Sequence, residues 1–226
     1  MKRIIEPELM NNPAQAEAYA CADFEQADQL FIDSFKQHFT HSRIEGTVLD
    51  LGCGPGNISF LFANHFPDIN VIGIDGADEM IKLANARKQT EIRAYDRVNF
   101  ITGFIPGHVI PQQHYACIVS NSFLHHLHQA EVLWETIKQY SSPKTKILVV
   151  DLFRPPSKED ASALVNQYAA NEPEILQRDF YNSLLAAFTP TEIKQQLHDA
   201  GLTELKLKTI SDRHIAIFGT KTREIK

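Results

Sequence analysis

The middle of the chain alternates short apolar segments with longer amphipathic ones. The apolar segments are nearly continuous and predict strands at residues 47–51, 70–75, 98–102, 115–120 and 145–152. Between them, apolar residues recur at helical spacing and predict helices at 57–66, 78–88 and 129–140. Strands that are apolar on both faces and alternate with helices are typical of a parallel sheet covered by helices.

The C-terminal part of the sequence predicts that the parallel sheet ends in antiparallel strands. A predicted helix at 189–200 has Pro190 in its first turn and Gly201 after its end. The segments 202–209 and 213–219 then predict an antiparallel hairpin. We therefore predict an α/β fold, a doubly wound domain whose seven-stranded, mostly parallel sheet ends in an antiparallel C-terminal hairpin.

Two helical segments flank the predicted core. Residues 1–45 precede the first strand, and the insert at 153–189 begins at the end of the fifth strand, where open α/β sheets bind ligands. Both contain aromatic residues at partly helical spacing: Tyr19, Phe24, Phe31, Phe35, Tyr168, Phe180 and Tyr181. We predict that both segments form a lid on the domain at 46–226. The alternative is that the N-terminal helices pack on a remote face purely for stability.

Charge and cysteine usage narrow the classes of function. The 226 residues include 22 Lys and Arg against 28 Asp and Glu, a net charge of −6 that gives no general attraction to nucleic acid. No apolar run approaches the roughly 20 residues that a membrane span requires. Cys21, Cys53 and Cys117 form neither a disulfide framework nor a zinc spacing. We expect a cytoplasmic protein with no membrane partner.

A glycine-rich loop after the first predicted strand is the most specific feature. In the segment VLDLGCGPGN, Gly52, Gly54 and Gly56 permit positive φ and let the backbone approach a ligand closely. Asp75 ends the second strand, where a carboxylate can accept hydrogen bonds from both hydroxyls of a ribose. The third glycine comes one residue earlier than in the dinucleotide fingerprint, and Asp50 disfavours a pyrophosphate but favours an ammonium group. These features indicate an adenosine ligand with a positive end and no phosphate, which is the chemistry of S-adenosylmethionine.

Four segments resemble, in order, the motifs of the class I S-adenosylmethionine-dependent methyltransferases: 48–57, 71–80, 115–127 and 147–151. The resemblance implies a Rossmann-like sheet, S-adenosylmethionine as cofactor and S-adenosylhomocysteine as product. It implies these cofactor-binding residues: Asp50, Gly52, Cys53, Gly54, Gly56, Asp75, Gly76, Met80, Gly103, Phe104 and Asn121. Of these, Asp50 and Asn121 lie near the amino and carboxylate groups of the methionine moiety. Asp75 binds the ribose, while Gly76 and Met80 flank adenine.

One segment departs from the motifs of this family. Many relatives carry an acidic residue after the third strand that hydrogen-bonds the adenine amine, whereas this chain has Gly103-Phe104. Either adenine is held there by backbone and ring packing, or its polar contact comes from elsewhere.

Candidate catalytic residues follow the fourth predicted strand or lie in the flanking segments: His125, His126, Tyr19 and Tyr181. The histidines come just past a strand end, where they either contact the acceptor or pack structurally. The tyrosines either offer a hydroxyl to the acceptor or form the small core of a lid. We predict no metal, because adjacent histidines point in different directions and no Cys or carboxylate at a normal spacing completes a tetrahedral site.

Two charged residues after the fifth strand also have open alternatives. Asp151 is either a carboxylate that faces the substrate or a strand-end residue that caps the next turn. Arg154 either holds a substrate carboxylate by its bidentate fork or forms a surface salt bridge.

The expected reaction needs few recognisable catalytic groups. Methyl transfer from a sulfonium is an in-line displacement, so a protein contributes largely by positioning and by excluding water. We predict an enzyme that methylates a small organic molecule in a lidded pocket, as a monomer or homodimer. The alternatives are an RNA or protein methyltransferase, which the net charge disfavours for RNA, and a protein that binds the cofactor without transferring methyl.

Overall fold

The computed structural model describes residues 1–39, 43–90, 95–107 and 110–222. Its strands are β1 (Gly46–Leu51), β2 (Ile69–Asp75), β3 (Val98–Thr102), β4 (Tyr115–Asn121), β5 (Lys146–Leu152), β6 (Lys206–Thr209) and β7 (His214–Thr220). Its α-helices are α1 (Pro13–Cys21), α2 (Glu25–Phe39), α3 (Asn57–His65), α4 (Asp78–Lys88), α5 (Glu131–Tyr140), α6 (Lys158–Tyr168), α7 (Glu174–Ala186) and α8 (Pro190–Asp199). Short 3-10 turns lie at Tyr95–Arg97 and Leu124–His126. The predicted lid segment at 1–45 includes residues 40–42, which lie outside the described part.

The strands form one mixed sheet in the order β3-β2-β1-β4-β5-β7-β6. Strands β1 to β5 pair in parallel, whereas β7 is antiparallel to both β5 and β6. The predicted doubly wound, seven-stranded sheet with an antiparallel C-terminal hairpin is confirmed. The largest difference in a strand bound is at β6, which begins only at Lys206 because residues 202–205 form a turn. The strand order reverses between β1 and β4, and open α/β sheets bind ligands at the carboxyl ends of strands at such a point.

Alternate residues of the strands fill two hydrophobic cores, one on each face of the sheet. Along β1, Leu49 lies in one core and Val48 in the other. Helices α5 and α8 cover the Leu49 face with Trp134 and Ile193, which are both fully buried. Because both faces are covered, the central strands consist of nearly continuous apolar residues.

Helix α2 belongs to the core of the domain. Phe31, Ile32 and Phe35 are fully buried, and the Phe35 ring meets the Phe62 ring of α3 with 4.8 Å between centroids. The helix packs against α3, β5 and β7. For α2 this packing favours the alternative to a lid, which is packing for stability, because its apolar face covers the sheet.

The chain before α2 takes a different path, across the carboxyl edge of the sheet. Helix α1 packs against α4 and α7, where Ala16 is buried against Met80. The Arg3 guanidinium donates hydrogen bonds to the carbonyls of His125 and Leu127 at 2.9 and 2.8 Å. These contacts fix the N-terminal segment, residues 1–24, beside the ends of β4 and β5.

The insert after β5 forms α6 and α7, which pack on each other. Their small apolar cluster contains Leu152, Val165 and Leu184, and the rings of Phe180 and Tyr181 pack against it. Helix α7 also contacts α1 and the turn at residues 124–126. None of the described helices is long and apolar enough to cross a bilayer.

Candidate active site

The glycine loop joins the end of β1 to the start of α3, and its three glycines all have positive φ. Gly52 has φ 71°, and a Cβ there would lie 2.2 Å from the ring of Phe123. Gly54 has φ 51°, and a Cβ there would meet no atom of the described residues within 4 Å. The loop backbone is thus packed on one side by Phe123 and open at Gly54, where it can approach a ligand.

Asp75 connects the end of β2 to this loop. Its Oδ2 accepts the Gly54 N–H at 2.8 Å, and its Oδ1 accepts the Ala77 N–H at 2.8 Å. Burial raises the pKa of Asp75, and the two backbone hydrogen bonds oppose that rise. Each carboxylate oxygen keeps a second acceptor site, which fits the two vicinal hydroxyls of a ribose.

These elements line a cleft at the carboxyl edge of the sheet, together with the end of β4 and the N-terminal segment. Most of the predicted cofactor residues line it: Asp50, Gly52, Cys53, Gly54, Asp75, Gly76, Met80 and Asn121. Three others do not belong to the lining of the described structure: Gly56, Gly103 and Phe104. At Gly56 a Cβ would lie 2.6 Å from the ring of Phe100, so its role is close packing below the loop.

Gly103 and Phe104 lie at the rim beside β2. The Gly103 N–H donates to the Asp75 carbonyl at 2.9 Å. The Phe104 ring is 62% exposed and lies 3.2 Å from the point where a Cβ of Gly76 would stand. The ring is therefore available to pack on a planar group beside Gly76.

Asp50 is buried beneath the loop with an exposed fraction of only 1%. Its Oδ2 accepts a 2.6 Å hydrogen bond from the hydroxyl of Ser59 in α3. Burial raises its pKa to about 7, the Ser59 hydrogen bond opposes the rise, and the charges of Asp75 and Asp28 add to it. A cation bound beside Asp50 would favour its charged form.

The end of β4 adds a backbone feature that the sequence did not indicate. Ser122 has φ 51° although it is not glycine, and it lies between Asn121 and Phe123 on the wall of the cleft. Its N–H donates to the Val150 carbonyl at 2.9 Å, which holds this conformation. Non-glycine residues with positive φ are concentrated at functional sites.

The N-terminal part of the chain supplies cleft residues that sequence reasoning missed: Glu8, Leu9, Met10 and Asp28. The Leu9 Cδ2 atom lies 2.9 Å from the point where a Cβ of Gly76 would stand. Burial raises the pKa of Asp28 to about 6, opposed by the charge of Arg87 and a hydrogen bond from Asn57. No local motif marks these residues, because only the path of the chain brings them to the cleft.

The two predicted tyrosines lie in different parts of the structure. Tyr19 lines the cleft, its ring lies 4.6 Å from that of Phe24, and burial raises the pKa of its hydroxyl. Tyr181 instead packs on the apolar cluster between α6 and α7 and is not part of the lining among the described residues.

His125 and Asp151 form a buried pair below the cleft. Asp151 Oδ1 lies 2.5 Å from His125 Nδ1, and the exposed fractions of the two side chains are 1% and 3%. Burial by itself would raise the pKa of Asp151 and lower that of His125, but their mutual attraction reverses both directions. Asp151 therefore orients His125, a role that neither alternative for Asp151 described.

His126 lies above this pair, on the wall of the cleft. Burial lowers its pKa to about 3 and the charge of His125 adds to the effect, so the imidazole is neutral near pH 7. Its Nδ1 is buried without a hydrogen-bond partner among the described residues, and Oε1 of Glu6 lies 3.3 Å away. Burial raises the pKa of Glu6 as well.

Arg154 forms a salt bridge at the edge of the core, in which the Arg154 side chain is buried and that of Glu192 is 41% exposed, as in the salt-bridge alternative. One terminal nitrogen lies 2.6 Å from Glu192 Oε1, and the other donates to the Ala187 carbonyl at 3.1 Å. Glu192 also completes the capping box of α8 with Thr189. Arg154 thus holds α8 to the end of β5.

Known proteins resemble this chain in sequence over most of the sheet. Residues 24–207 match a family described as a methyltransferase domain. The malonyl-[acyl-carrier protein] O-methyltransferase of Priestia megaterium is 32% identical over 121 residues, which are 54% of this chain and 41% of that protein. Phosphoethanolamine N-methyltransferase 1 of Arabidopsis thaliana is 28% identical over 170 residues, 75% of this chain and 31% of that protein. The matches thus span less than half the length of these two relatives.

Solved structures share the fold. The plantazolicin methyltransferase BpumL, in complex with a pentazolic desmethylPZN analog and SAH, has a TM-score of 0.73 at 19% identity, over 93% of this chain and 90% of that one. A SAM dependent methyltransferase from Aquifex aeolicus has a TM-score of 0.65 at 15% identity, over 92% and 98%. Since the matched family covers most of its length, the chain belongs to the methyltransferase-domain family, in the class I S-adenosylmethionine-dependent group.

Proposed function

We propose that this protein transfers the methyl group of S-adenosylmethionine to a small organic molecule. The observation that carries the proposal is the cradle formed by Gly54 and Asp75 in the lining of the cleft, in which a bare, positive-φ backbone donates its N–H directly to a partly buried carboxylate. This arrangement fits a ribose on one side and a close backbone contact on the other.

The remaining cofactor contacts follow from the same cleft. When bound, S-adenosylmethionine supplies a methyl group activated on a sulfonium. Asp50, below the loop, offers its carboxylate to the amino group, with Asn121 beside it. Gly76 and Met80 provide the apolar surface for adenine, and the exposed Phe104 ring at the rim extends it. Residue by residue, these roles remain proposals from the family resemblance.

The acceptor side is formed by Tyr19, His126 and Glu8. We place the accepting atom against Tyr19 and His126, since both side chains are polar, lie on the cleft wall and belong to different elements. The N-terminal segment covers this side and excludes water, which favours in-line displacement at a sulfonium. His125 is held by Asp151 behind the wall of the cleft and supports the neighbouring His126. Tyr181 packs within the insert, whose helix α7 contacts α1.

The names of relatives support a small acceptor. Curated relatives include trans-aconitate 2-methyltransferase of Methylobacterium radiotolerans, 54% identical over 40 residues. A methyl acceptor bound in a cleft covered by residues 8–19 must be small or must present a narrow end. The net charge of −6 further disfavours a polyanionic acceptor.

The test is transfer of label from methyl-labelled S-adenosylmethionine. The full chain is incubated with a fractionated metabolite extract, with total RNA or with a protein extract, and each pool is separated and counted. We expect label in a low-molecular-mass product that also identifies the acceptor. Label only in RNA or protein would replace the small-molecule assignment, and cofactor binding without label in any pool would contradict methyl transfer.

A further inference from the structure

We propose that Glu6, His125 and His126 form a binding site for a divalent transition-metal ion of the zinc type. One ligand atom from each residue lies within 4.8 Å of the other two. Glu6 Oε1 lies 3.3 Å from His126 Nδ1 and 3.6 Å from His125 Nε2. Two ligands about 2.0–2.1 Å from a tetrahedral zinc ion lie roughly 3.3 Å apart, so these distances match the edges of such a site.

The three ligand atoms do not satisfy one another by hydrogen bonds. His126 Nδ1 is buried and has no partner among the described residues. The 3.6 Å between Glu6 Oε1 and His125 Nε2 is too long for a hydrogen bond. A buried polar atom without a partner is unfavourable, and a cation at the centre of this group would bind all three lone pairs.

Two further contacts hold the side chains of His125 and Glu6 in the way in which metal ligands are usually held. Asp151 Oδ1 lies 2.5 Å from His125 Nδ1 and can hold a proton on that nitrogen, so that Nε2, which lies 3.6 Å from Glu6 Oε1, is the atom that would bind the ion in place of a proton. The Ser183 hydroxyl donates to Glu6 Oε1 at 3.1 Å. A carboxylate behind a ligating histidine and a hydrogen bond to a ligating carboxylate are the usual supports of zinc ligands.

The ligand types select the ion and its coordination. Two imidazoles and one carboxylate suit Zn²⁺ and related first-row ions better than Ca²⁺ or Mg²⁺, which prefer oxygen ligands. Three protein ligands leave a fourth position for water or for the heteroatom of an acceptor. His126 lines the cleft, so this site borders the place where the acceptor is expected.

The sequence alone predicted no metal, because it considered only ligands near the histidines. Glu6 comes from the far end of the chain, and the Arg3 anchor brings it beside the turn after β4. Metal binding would therefore also fix the N-terminal segment on the edge of the sheet. The site stands on these contacts alone and does not depend on methyl transfer.

The experiment is metal binding by the full chain, stripped with a chelator and titrated with Zn²⁺ by calorimetry and with Co²⁺ by visible absorption. We expect one equivalent of each ion and the intense visible bands of four-coordinate Co²⁺. Glu6→Gln and His126→Asn should each lower the affinity by more than the roughly 10–100-fold that loss of an outer hydrogen bond costs. His198→Asn, at an exposed histidine of α8 beside Asp199, is the matched control and should bind like the wild type.

Ser183→Ala provides a variant that keeps every ligand and removes only the hydrogen bond to Glu6. It should weaken Zn²⁺ binding roughly 10–100-fold without changing the stoichiometry. A folded wild-type chain that binds no equivalent of Zn²⁺, or binds it as tightly after Glu6→Gln, would overturn the proposal. Loss of binding in His198→Asn instead would assign the ion to surface histidines and overturn it as well. Methyl transfer is measured separately, so its absence in a zinc-binding chain would count only against the proposed function.

Discussion

The Ser59 hydroxyl donates a 2.6 Å hydrogen bond to Oδ2 of Asp50, and both side chains are buried where β1 meets α3. Ser59 is the side-chain hydrogen-bond partner of Asp50 among the described residues. Burial raises the pKa of the Asp50 carboxyl to about 7. The ordinary value is 3.8, so between these values the unfolded chain is ionised at Asp50 while the folded chain is still protonated.

The first prediction is that Asp50 makes the protein less stable as pH rises from about 4 to about 7. The pKa of Asp50 is higher in the folded protein than in the unfolded chain. Its contribution to the free energy of unfolding is therefore complete below pH 3.8 and is lost as the pH rises through about 7. Urea unfolding of the wild type and of Asp50→Asn at several pH values isolates the contribution of Asp50 and of the acids coupled to it, because acids that do not interact with Asp50 titrate equally in both proteins. We expect the free energy of unfolding of the wild type to fall relative to the variant across this window. A constant difference between the two would contradict the raised pKa.

The second prediction concerns Asp75. Asp75→Ala should lower the affinity for S-adenosylmethionine by about tenfold or more, since hydrogen bonds to a charged group contribute about 1.5–3 kcal/mol each. Part of the loss comes from the loop, because the variant also frees the Gly54 N–H. Asp75→Asn keeps one acceptor oxygen and should fall between the two proteins. Calorimetry with S-adenosylmethionine measures the three affinities.

The matched control is Asp78→Ala, three residues further on in the exposed first turn of α4. It removes the same charge near the same strand without touching the loop, and its affinity should equal that of the wild type. Wild-type affinity in folded Asp75→Ala would remove Asp75 from the cofactor site.

Much of the sheet was predictable because its strands are buried on both faces and so are continuous apolar runs. The glycine loop and Asp75 were predictable for a related reason, since each requirement is local: a positive φ at Gly54 and a carboxylate at a strand end. The approach of Asp151 to His125 follows from the pairing of β4 with β5, but no sequence signal states that the two strands are neighbours.

The N-terminal segment was the least predictable part, because its position depends on long-range contacts and not on local requirements. Its helical spacing indicates that α2 has an apolar face, but the same stripe can cover a sheet or a cleft. Glu6 and Glu8 are isolated acidic residues in a segment with no regular structure, and only long-range contacts bring them to the histidines. Sequence reasoning therefore found the part of the cleft formed by the glycine loop and Asp75 and missed much of the part formed by the N-terminal segment.

The third prediction separates the two tyrosines. Tyr19→Phe should lower kcat/KM roughly 3–10-fold, the effect of losing one neutral hydrogen bond of about 0.5–1.5 kcal/mol, because Tyr19 lines the cleft and its hydroxyl is proposed to contact the acceptor. Tyr181→Phe removes the same atom from a side chain that packs between α6 and α7, and should leave kcat/KM unchanged. Steady-state kinetics with the acceptor identified by labelling measures both. Equal losses in the two variants would contradict the placement of the acceptor against Tyr19.

The fourth prediction compares two truncations of the N-terminus. Deleting residues 1–24 removes Leu9, Met10 and Tyr19 from the cleft but leaves α2 on the sheet, so the chain should fold and bind S-adenosylmethionine more weakly. Deleting residues 1–40 also removes Phe31 and Phe35 and exposes the core beneath them. Loss of one buried Phe side chain costs about 3–5 kcal/mol, against a total stability of about 5–15 kcal/mol. The longer deletion should therefore not fold.

Circular dichroism and thermal unfolding of the two truncations decide the matter, with Phe35→Ala in the full chain as the matched single change. The Phe35 ring contacts both Phe62 and Phe66, so this variant should lose about 3–5 kcal/mol while its cleft residues stay in place.

Hydrogen exchange on the wild type adds a second readout: S-adenosylmethionine should protect amides at residues 15–21 but change those in α2 little, because α2 is already buried in the core. A folded 1–40 deletion with the thermal stability of the wild type would show that α2 is a lid after all, since a core helix cannot be removed without loss of stability.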